Sequence, residues 1–406
     1  MATIRFTGNA GTVAQVDSFT PANVEVSDIF TLTATGLDGN TVAISFTAAA
    51  TTVANVTAGL TAAWNASTNS LCTVITAADE TTYMTLTADT PGVAFSVAAT
   101  AVNGGANDTQ TLTRAVVTAN SGPSDWSCAA NWSGGAVPGG DADQDVFVEG
   151  AIIYFGLDQS AIANALTSLT VKSTRIGTNP ASGYLPTYLQ IKTSALNIDP
   201  HYLSGTQSCL APIIIDTGET ACVIKVYNSG TNSPATKPAV IMKANNAATA
   251  LEVRKGQVGL AVFDGETATI GTLTESYSTN INNDAFVFLG SGVTVTTINK
   301  TGGHLTSQSG ATTITQDAGV LLTEGSGAVA TMNVKGGTTY PNSTGTIAAL
   351  NMTGGTTDMT KGAAARTVTT AKLDPGAVFK LDPAIVTLTN QVQPYSSSGV
   401  IQLTAA

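Results

Sequence analysis

The chain has 406 residues, of which 11% are charged and 43% hydrophobic, with 40 glycines and a net charge of −11. An average globular domain carries about 25% charged residues, and a disordered chain combines high net charge with few apolar groups. The composition is therefore typical of neither an ordinary enzyme nor a disordered protein. Because β-branched Thr and Val are abundant while Lys and Glu are scarce, we expect a mainly β protein.

The negative charge lies in the first part of the chain. Residues 1–150 contain Arg5 and Arg114 as their only basic side chains against 13 acidic ones, whereas residues 151–406 contain 14 of each. A region so poor in cations cannot neutralise phosphates, and the remainder has no basic run, so we expect no nucleic-acid binding. An acidic surface suits a basic protein partner or serves solubility.

The first residues, MATIRFTGNAGT, lack the cationic start and apolar run of a secretion signal. No stretch approaches the ~18 consecutive apolar residues of a membrane-spanning helix. We therefore expect a product that stays in the cytoplasm and does not insert into a membrane. Cys72, Cys128, Cys209 and Cys222 show no C-x-x-C spacing, which favours four reduced thiols; the alternative is a disulfide between Cys209 and Cys222.

Residues 1–120 predict a small α+β domain in which short strands surround one helix. Apolar residues two apart indicate half-buried strands. Apolar residues at three- and four-residue steps indicate an amphipathic helix over Thr52–Asn65. The predicted strands are Thr3–Phe6, Val24–Ala34, Val42–Phe46, Cys72–Thr76, Tyr83–Ala88, Val93–Ala98 and Thr111–Val117.

A turn-rich bridge occupies residues 121–150 and holds Trp126 and Trp132, two of the three tryptophans. Leaving such a large apolar side chain in water forfeits ~1.5 to 3 kcal/mol, so we expect these rings to cap the structure that begins at Val146. The bridge also carries Asp141, Asp143 and Asp145. Their carboxylates are the hard oxygen ligands that Ca²⁺ prefers, but the spacing departs from an EF-hand. The sequence leaves open a calcium site or a solvated acidic turn.

Residues 151–390 are repetitive. The clearest copies are VTTINKTGG (Val295–Gly303), VATMNVKGG (Val329–Gly337) and IAALNMTGG (Ile347–Gly355). Asn299, Asn333 and Asn351 occupy equivalent places, and we expect Gln316 to hold the place between the first two, which gives spacings of 17, 17 and 18 residues. A unit this short cannot bury its own apolar side chains, so copies must stack.

This period without helical stretches predicts a right-handed single-stranded parallel β-helix of roughly twelve coils, on the order of 55 to 60 Å long, with residues 391–406 as a tail or cap. Asn299, Gln316, Asn333 and Asn351 are expected to form an internal amide ladder along the stack. The alternative is an exposed ladder that binds ice or a flat glycan. Earlier coils are predicted at Leu166–Val171, Tyr188–Ile198, Ile213–Tyr227, Val240–Lys243, Leu251–Val262 and Ala268–Leu273.

No catalytic constellation is found in the sequence. His201 and His304 are too far apart for a local metal motif, and there is no G-x-S-x-G elbow. The glycine pairs of the repeats lack the residues of a phosphate loop, so turns explain them. The densest charged groups of the coils are expected to be surface salt bridges: Glu252, Arg254, Lys255, Asp264 and Glu266, and then Asp374, Lys380 and Asp382. We expect a protein without enzymatic activity and without a cofactor, apart from the calcium considered above.

Two segments resemble phage and bacterial surface proteins. N-W-S-G-G-x-V-P from Asn131, followed by Asp145–Val148, resembles a junction that introduces β-helical repeats in large bacterial surface proteins and phage particle proteins. The helix segment Val56–Asn65 resembles a module at the front of phage structural proteins. The resemblance implies a virion component, such as a capsid decoration protein or head fibre, that assembles in the host cytoplasm on the major capsid protein or another virion protein.

The architecture adds an expectation about assembly. Flat sheet faces and open stack ends favour a homotrimer. Two other functions remain open at this point. One is a phage tail spike or fibre that binds or depolymerises a host surface polysaccharide, and the other is a bacterial cell-surface adhesin, which would need an export sequence.

Overall fold

A computed structural model describes residues 2–172, 175–178, 186–199, 213–229, 238–275, 285–362 and 364–394. These residues form a mainly β protein with two long parallel sheets and two small antiparallel ones. His201 and Cys209 lie outside the described residues. Across these ranges no helix has both the length and the apolar character needed to cross a bilayer.

The two small sheets and the helix lie within residues 16–118. Strands β5-β6-β2-β8 form a four-stranded antiparallel sheet and β4-β3-β7 a three-stranded one. The elements of this part of the chain are β1 (Ala2–Arg5), β2 (Val16–Ala22), β3 (Ile29–Thr35), β4 (Thr41–Thr47), α1 (Val53–Asn65), β5 (Ile75–Asp79), β6 (Met84–Ala88), β7 (Ser96–Val102) and β8 (Thr111–Thr118).

Helix α1 joins the two small sheets into one core. Val56, Leu60 and Trp64 follow its helical period and are almost wholly buried, as expected for an amphipathic helix on a sheet. Thr52 caps the N-terminus, because its side chain accepts from the backbone N–H of Asn55. The helix was predicted; strand Val16–Ala22 was not, because its inward positions include Asp17 and Pro21, which break the apolar alternation.

The following strands belong to the two long sheets. They are β9 (Gln144–Glu149), β10 (Ile152–Ile153), β11 (Asp158–Gln159), β12 (Ser168–Lys172), β13 (Arg175–Ile176), β14 (Leu189–Ile191), β15 (Ala195–Ile198), β16 (Ile213–Asp216), β17 (Val223–Val226), β18 (Val240–Lys243), β19 (Ala250–Val253), β20 (Gly256–Leu260), β21 (Ala268–Glu275), β22 (Ala285–Leu289), β23 (Val293–Lys300), β24 (His304–Ser307), β25 (Ala311–Gln316), β26 (Val320–Thr323), β27 (Val329–Val334), β28 (Thr338–Pro341), β29 (Ile347–Met352), β30 (Thr356–Met359), β31 (Arg366–Leu373), β32 (Val378–Leu381), β33 (Val386–Leu388) and β34 (Gln393–Pro394).

Sheet I and sheet II are stacks of parallel strands. Sheet I runs β1-β9-β12-β15-β17-β19-β21-β23-β25-β27-β29-β31-β33, with β34 beside β31. Sheet II runs β10-β13-β16-β18-β20-β22-β24-β26-β28-β30-β32, with β14 beside β16 and β11 beside β14. From β17 to β32 the chain alternates between the sheets, as a solenoid requires. Neighbouring strands lie ~4.8 Å apart, so the path from β1 to β33 is about 58 Å long.

One hydrophobic core runs between the long sheets from Ile4 to Val386. Its members stack in register; Ile314, Met332 and Leu350, for example, are direct neighbours in sheet I and almost wholly buried. Each strand alternates inward and outward side chains, so every added strand extends the core by one layer.

Strand β1 pairs with sheet I, although it precedes the small domain in the chain. Ala2–Arg5 lies parallel to β9, with Ile4 opposite Val146. The predicted first unit, residues 1–120, therefore contributes its first strand to the long stack. The alternation in Thr3–Phe6 indicated a strand, but it carried no information about a partner some 140 positions away in the chain.

The corners between the long sheets depend on glycine. Gly303, Gly337 and Gly355 have φ values of +63°, +74° and +71°, which only glycine adopts without strain. A Cβ on Gly337 would also lie 2.3 Å from the carbonyl oxygen of Gly319. The glycine pairs of the repeats thus act as turns, in keeping with the sequence interpretation.

Candidate functional site

Trp126 and Trp132 lie in the core of the long sheets, next to strand β1. Trp132 packs edge-on against Phe6 and Trp126, with ring centroids 4.9 and 4.7 Å apart. Its indole Nε1–H donates to the Trp126 carbonyl oxygen at 2.8 Å. Both indoles belong to the same hydrophobic cluster as Val146. This aromatic cluster attaches the first strand of sheet I to the bridge.

A buried amide, which sequence reasoning missed, holds the same region together. Asn131 is fully buried, accepts from the Ala10 backbone N–H at 2.7 Å, and donates to the carbonyl oxygens of Gly122 and Asp125. Each hydrogen bond fixes one loop backbone against another. Asn131 begins the N-W-S-G-G-x-V-P segment, but that pattern does not indicate its hydrogen-bond partners, one of which lies 121 positions away.

Asp141 and Asp143 lie just before strand β9, and Asp145 is the second residue of that strand. Asp141 and Asp143 are exposed, and Asp145 is half-buried, its Oδ1 accepting from the Ser168 hydroxyl at 2.5 Å. Glu149, at the end of the strand, pairs with Lys172 and Arg5 instead. Within the described ranges no group of three or more His, Cys, Asp and Glu side chains is arranged to hold a metal ion. Calcium at Asp141, Asp143 and Asp145 stays a prediction.

The amide ladder lies on the outer face of sheet I, so its predicted internal position is wrong. Asn299, Asn333 and Asn351 occupy one half-exposed column. Asn351 Nδ2 donates to Asn333 Oδ1 at 3.0 Å, and Asn333 Nδ2 donates to Thr315 Oγ1 at 3.5 Å. Each asparagine follows a buried Ile, Met or Leu directly, and consecutive side chains in a strand point to opposite faces.

Gln316 does not belong to this ladder. Thr315 holds the place between Asn299 and Asn333, while Gln316 is opposite Lys300 and is fully buried. Its amide group donates to the carbonyl oxygens of Gly319 and Thr338, and its Oε1 accepts from the Thr339 hydroxyl at 2.7 Å. Consecutive side chains point to opposite faces of a sheet, so Gln316 points into the core while Thr315 points outward. Its hydrogen bonds to Thr338 and Thr339 of β28 connect sheet I to sheet II from inside.

Replacing Gln316 with Leu should lower the free energy of unfolding by about 1–3 kcal/mol, because the buried Thr339 hydroxyl loses its acceptor. The matched variant Thr315→Ala changes the neighbouring, outward side chain and should stay within ~0.5 kcal/mol of the parent. Urea titrations of both variants measure the difference. Equal effects at the two positions would contradict the inward placement of Gln316.

The outer face of sheet I is uncharged over β23, β25, β27 and β29. The outward residues on these strands are small, and most of them carry a hydroxyl or amide group. They border a shallow groove lined by Gly310, Ala328 and their neighbours. They are Thr294, Thr296, Thr297, Asn299, Thr312, Thr313, Thr315, Ala330, Thr331, Asn333, Ala348, Ala349 and Asn351. We call these residues the Thr/Asn face.

The core also contains a buried ion pair. Lys300 Nζ lies 2.6 Å from Glu275 Oε2, and both side chains are fully buried. They are direct neighbours on β23 and β21, and Lys300 also donates to the Gly302 carbonyl oxygen. Burial of both charges makes the pair sensitive to the loss of either partner.

The predicted surface group around Glu252 is only partly on the surface. Arg254 pairs with Glu252 at 2.6 Å on the outside. Glu266 is buried instead, and its Oε1 accepts from the Tyr188 hydroxyl at 2.8 Å. Burial, reinforced by this hydrogen bond, raises the pKa of Tyr188 far above its ordinary value.

Cys72, Cys128 and Cys222 are free thiols, and burial raises the pKa of Cys222 to about 12.

Comparison with known proteins adds no assignment. No family model, no curated protein and no solved structure matches this chain. The sheets and their outer faces are therefore the basis for a functional proposal.

Proposed function

We propose that this chain is a non-enzymatic structural protein of a phage particle, a capsid decoration or head-fibre protein built on a right-handed single-stranded parallel β-helix. The supporting observation is the continuous core from Ile4 to Val386 between two parallel sheets. Such a stack is held together by its own interior and presents long outer faces for contacts. Right-handedness is supported by the general rule for crossovers between parallel strands.

We assign docking on the particle to the acidic small domain. Several of its acids are engaged internally: Asp17 is buried and lies 2.6 Å from Arg114. Asp28 accepts from the Gly104 N–H and Glu25 from the Asn107 side chain, and these hydrogen bonds are the main cause of the lowered pKa of each carboxyl.

Other acids of the small domain remain at its surface. Asp79, Glu80, Asp89 and Asp108 are exposed. They suit a cationic surface on the major capsid protein or another virion protein.

Copy number distinguishes this proposal from its alternatives. Quantitative mass spectrometry of purified particles should find the chain in hundreds of copies, and particles that lack it should lose resistance to heat. A few tens of copies, together with clearance of capsule or lipopolysaccharide, would instead indicate a tail spike. Presence on the surface of uninfected cells would indicate an adhesin. Absence from purified particles would refute the virion role.

One observation favours glycan binding as a second candidate. The Thr/Asn face is uncharged, and it presents hydroxyl and amide groups in rows ~4.8 Å apart. These groups suit a neutral polysaccharide that lies along the stack. Adsorption of particles to host cells stripped of surface polysaccharide tests this candidate, since a glycan-binding fibre loses adsorption and a decoration protein does not.

A further inference from the structure

Strand β4 of the small domain presents an open, uncharged edge. Thr41–Thr47 pairs with β3 in an unbroken register along its whole length. Among the residues that the structure describes, none hydrogen-bonds to the backbone of its other edge. The segment, TVAISFT, contains no proline and no charged residue. A regular edge strand of this kind is a template for pairing with a strand of another chain.

The other edges of the two small sheets are covered or irregular. Trp64 Nε1–H donates to the Ile75 carbonyl oxygen at 2.9 Å, so helix α1 covers the edge of β5. The Asn65 side chain extends this cover, because it bonds both the N–H and the carbonyl oxygen of Ala77. Strand β8 has an irregular register against β2 and carries Arg114, and β7 contacts β8. Covers, bulges and charges prevent unwanted pairing of edges, and β4 has none of them.

The ladder with β3 decides which backbone groups of β4 face the open edge. At one end of the hairpin the Gly36 N–H donates to the Asn40 carbonyl oxygen. At the other end the Ala48 N–H donates to the Asp28 carbonyl oxygen. Hydrogen-bonded pairs alternate along an antiparallel ladder, so the even-numbered residues of β4 bond to β3. The residues whose N–H and C=O groups face the open edge are Thr41, Ala43, Ser45 and Thr47.

The apolar side chains of β4 are incompletely covered. Val42, Ile44 and Phe46 pack against the core of the small domain and are only half-buried. Side chains on one face of a sheet are stabilised by direct neighbours on the next strand. An added strand would supply these neighbours on the open side of β4.

We propose that the strand added to β4 is β4 of a second copy of this chain, paired antiparallel about a twofold axis at Ile44. The inference goes beyond the proposed function and does not depend on it. The pairs across the axis are Thr41 with Thr47, Val42 with Phe46, Ala43 with Ser45, and Ile44 with Ile44. Hydroxyl meets hydroxyl, small meets small and apolar meets apolar. Such self-complementarity is what a twofold contact between two copies requires.

The hydrogen-bonding register selects the same axis. Pairing about Ile44 joins only residues whose backbone groups face the open edge, and it uses all of them, which gives about eight hydrogen bonds. A shift of one residue would bring groups already bonded to β3 opposite open ones, and a larger shift would leave open groups at both ends. Neither β4 nor helix α1 carries a charged side chain, so these two elements bring no like charges together at the axis.

The solution mass of the full chain tests the contact. A twofold contact gives a dimer, so sedimentation velocity and light scattering should give the parent twice the mass of one chain. Ala43→Pro should raise the dissociation constant at least tenfold, because each dimer loses two edge hydrogen bonds while those to β3 stay intact. The matched control Ala43→Thr keeps the backbone N–H and a strand-forming side chain, and it should remain dimeric. Circular dichroism establishes that each variant is folded.

Disulfide formation tests the register. The two copies of Ile44 form a non-hydrogen-bonded pair on the axis, with Cα atoms about 4.5 Å apart, which a disulfide can span. Ile44→Cys should therefore give a disulfide-linked dimer on mild oxidation, seen on a non-reducing gel. Ala43→Cys is the matched control, because its two copies lie diagonally across the axis and should cross-link at least tenfold more slowly. The parent, with its native cysteines, gives the background.

The results separate this inference from the proposed function. A parent of one or three chains at tens of micromolar, a dimer that a folded Ala43→Pro leaves unchanged, or equal cross-linking of the two cysteine variants would overturn the pairing. If Ala43→Pro does not fold, the cysteine variants decide. If the pairing fails while the chain is found in hundreds of copies per particle, the virion role stands. If the pairing holds and the chain is absent from particles, the virion role fails alone.

Discussion

Lys300→Met should lower the free energy of unfolding by about 3–5 kcal/mol, because it removes the ammonium group that compensates the buried Glu275 carboxylate. Lys300 Nζ and Glu275 Oε2 are 2.6 Å apart and both side chains have no exposed surface. Thermal and urea unfolding of the variant measure the loss.

The double variant Lys300→Met, Glu275→Met provides the decisive comparison. It removes both charges and leaves side chains of similar volume, so it should recover most of the lost stability. Lys335→Met is the matched surface control, since Lys335 pairs with Asp317 at 3.0 Å and both side chains are about half exposed; its effect should stay below ~1 kcal/mol. A double variant as unstable as Lys300→Met would contradict this account of the buried pair.

The stack was predictable where the repeats are regular. The shared pattern of Val295–Gly303, Val329–Gly337 and Ile347–Gly355 placed β23, β27 and β29 correctly, because a repeated strand must meet its copies in register. The same period gave roughly twelve coils, and within the described residues the path of sheet I has twelve strands after β1. The 17- to 18-residue spacing therefore located the strands of the regular repeats and the glycine turns that follow them.

Which face a side chain occupies was less well predicted. Gln316 was assigned to the asparagine column from its spacing, yet it lies two positions after the buried Ile314 and so shares its inward face. Asn333 directly follows the buried Met332 and points outward. Alternation within each strand was the stronger signal, and it would have separated the glutamine from the asparagines and revealed an exposed ladder.

Long-range partners could not be predicted from one sequence. The pairing of β1 with β9, the contact of Phe6 with Trp132 and the ion pair of Lys300 with Glu275 join residues whose patterns do not refer to each other. The apolar run Phe286–Leu289 shows a related limit. It is typical of a strand covered on both faces, but the run does not indicate what covers it.

Trp132→Ala should destabilise the long stack by about 3–5 kcal/mol, the usual cost of removing a large buried aromatic side chain. The indole contacts the rings of Phe6 and Trp126, and its Nε1–H bonds the Trp126 carbonyl oxygen. Its removal takes away the side chain against which Phe6 holds β1. Urea unfolding gives the loss, and limited proteolysis should show earlier cleavage near residue 7. Trp132→Phe keeps a ring against Phe6 and should cost only about 1–2 kcal/mol, through the lost hydrogen bond.

The fluorescence of Trp64 tests whether the core of the small domain stays intact when the long stack is destabilised. Trp64 is buried in the small domain, in a hydrophobic cluster separate from that of Trp126 and Trp132. In a Trp126→Phe background, where Trp64 is the remaining indole after Trp132→Ala, its fluorescence should keep the emission maximum of Trp64 in the folded parent, because the packing around it is unchanged. A shift of the Trp64 emission toward that of an exposed indole would show that loss of the aromatic cluster also opens the small domain, and the two cores would then have to be treated as one cooperative unit.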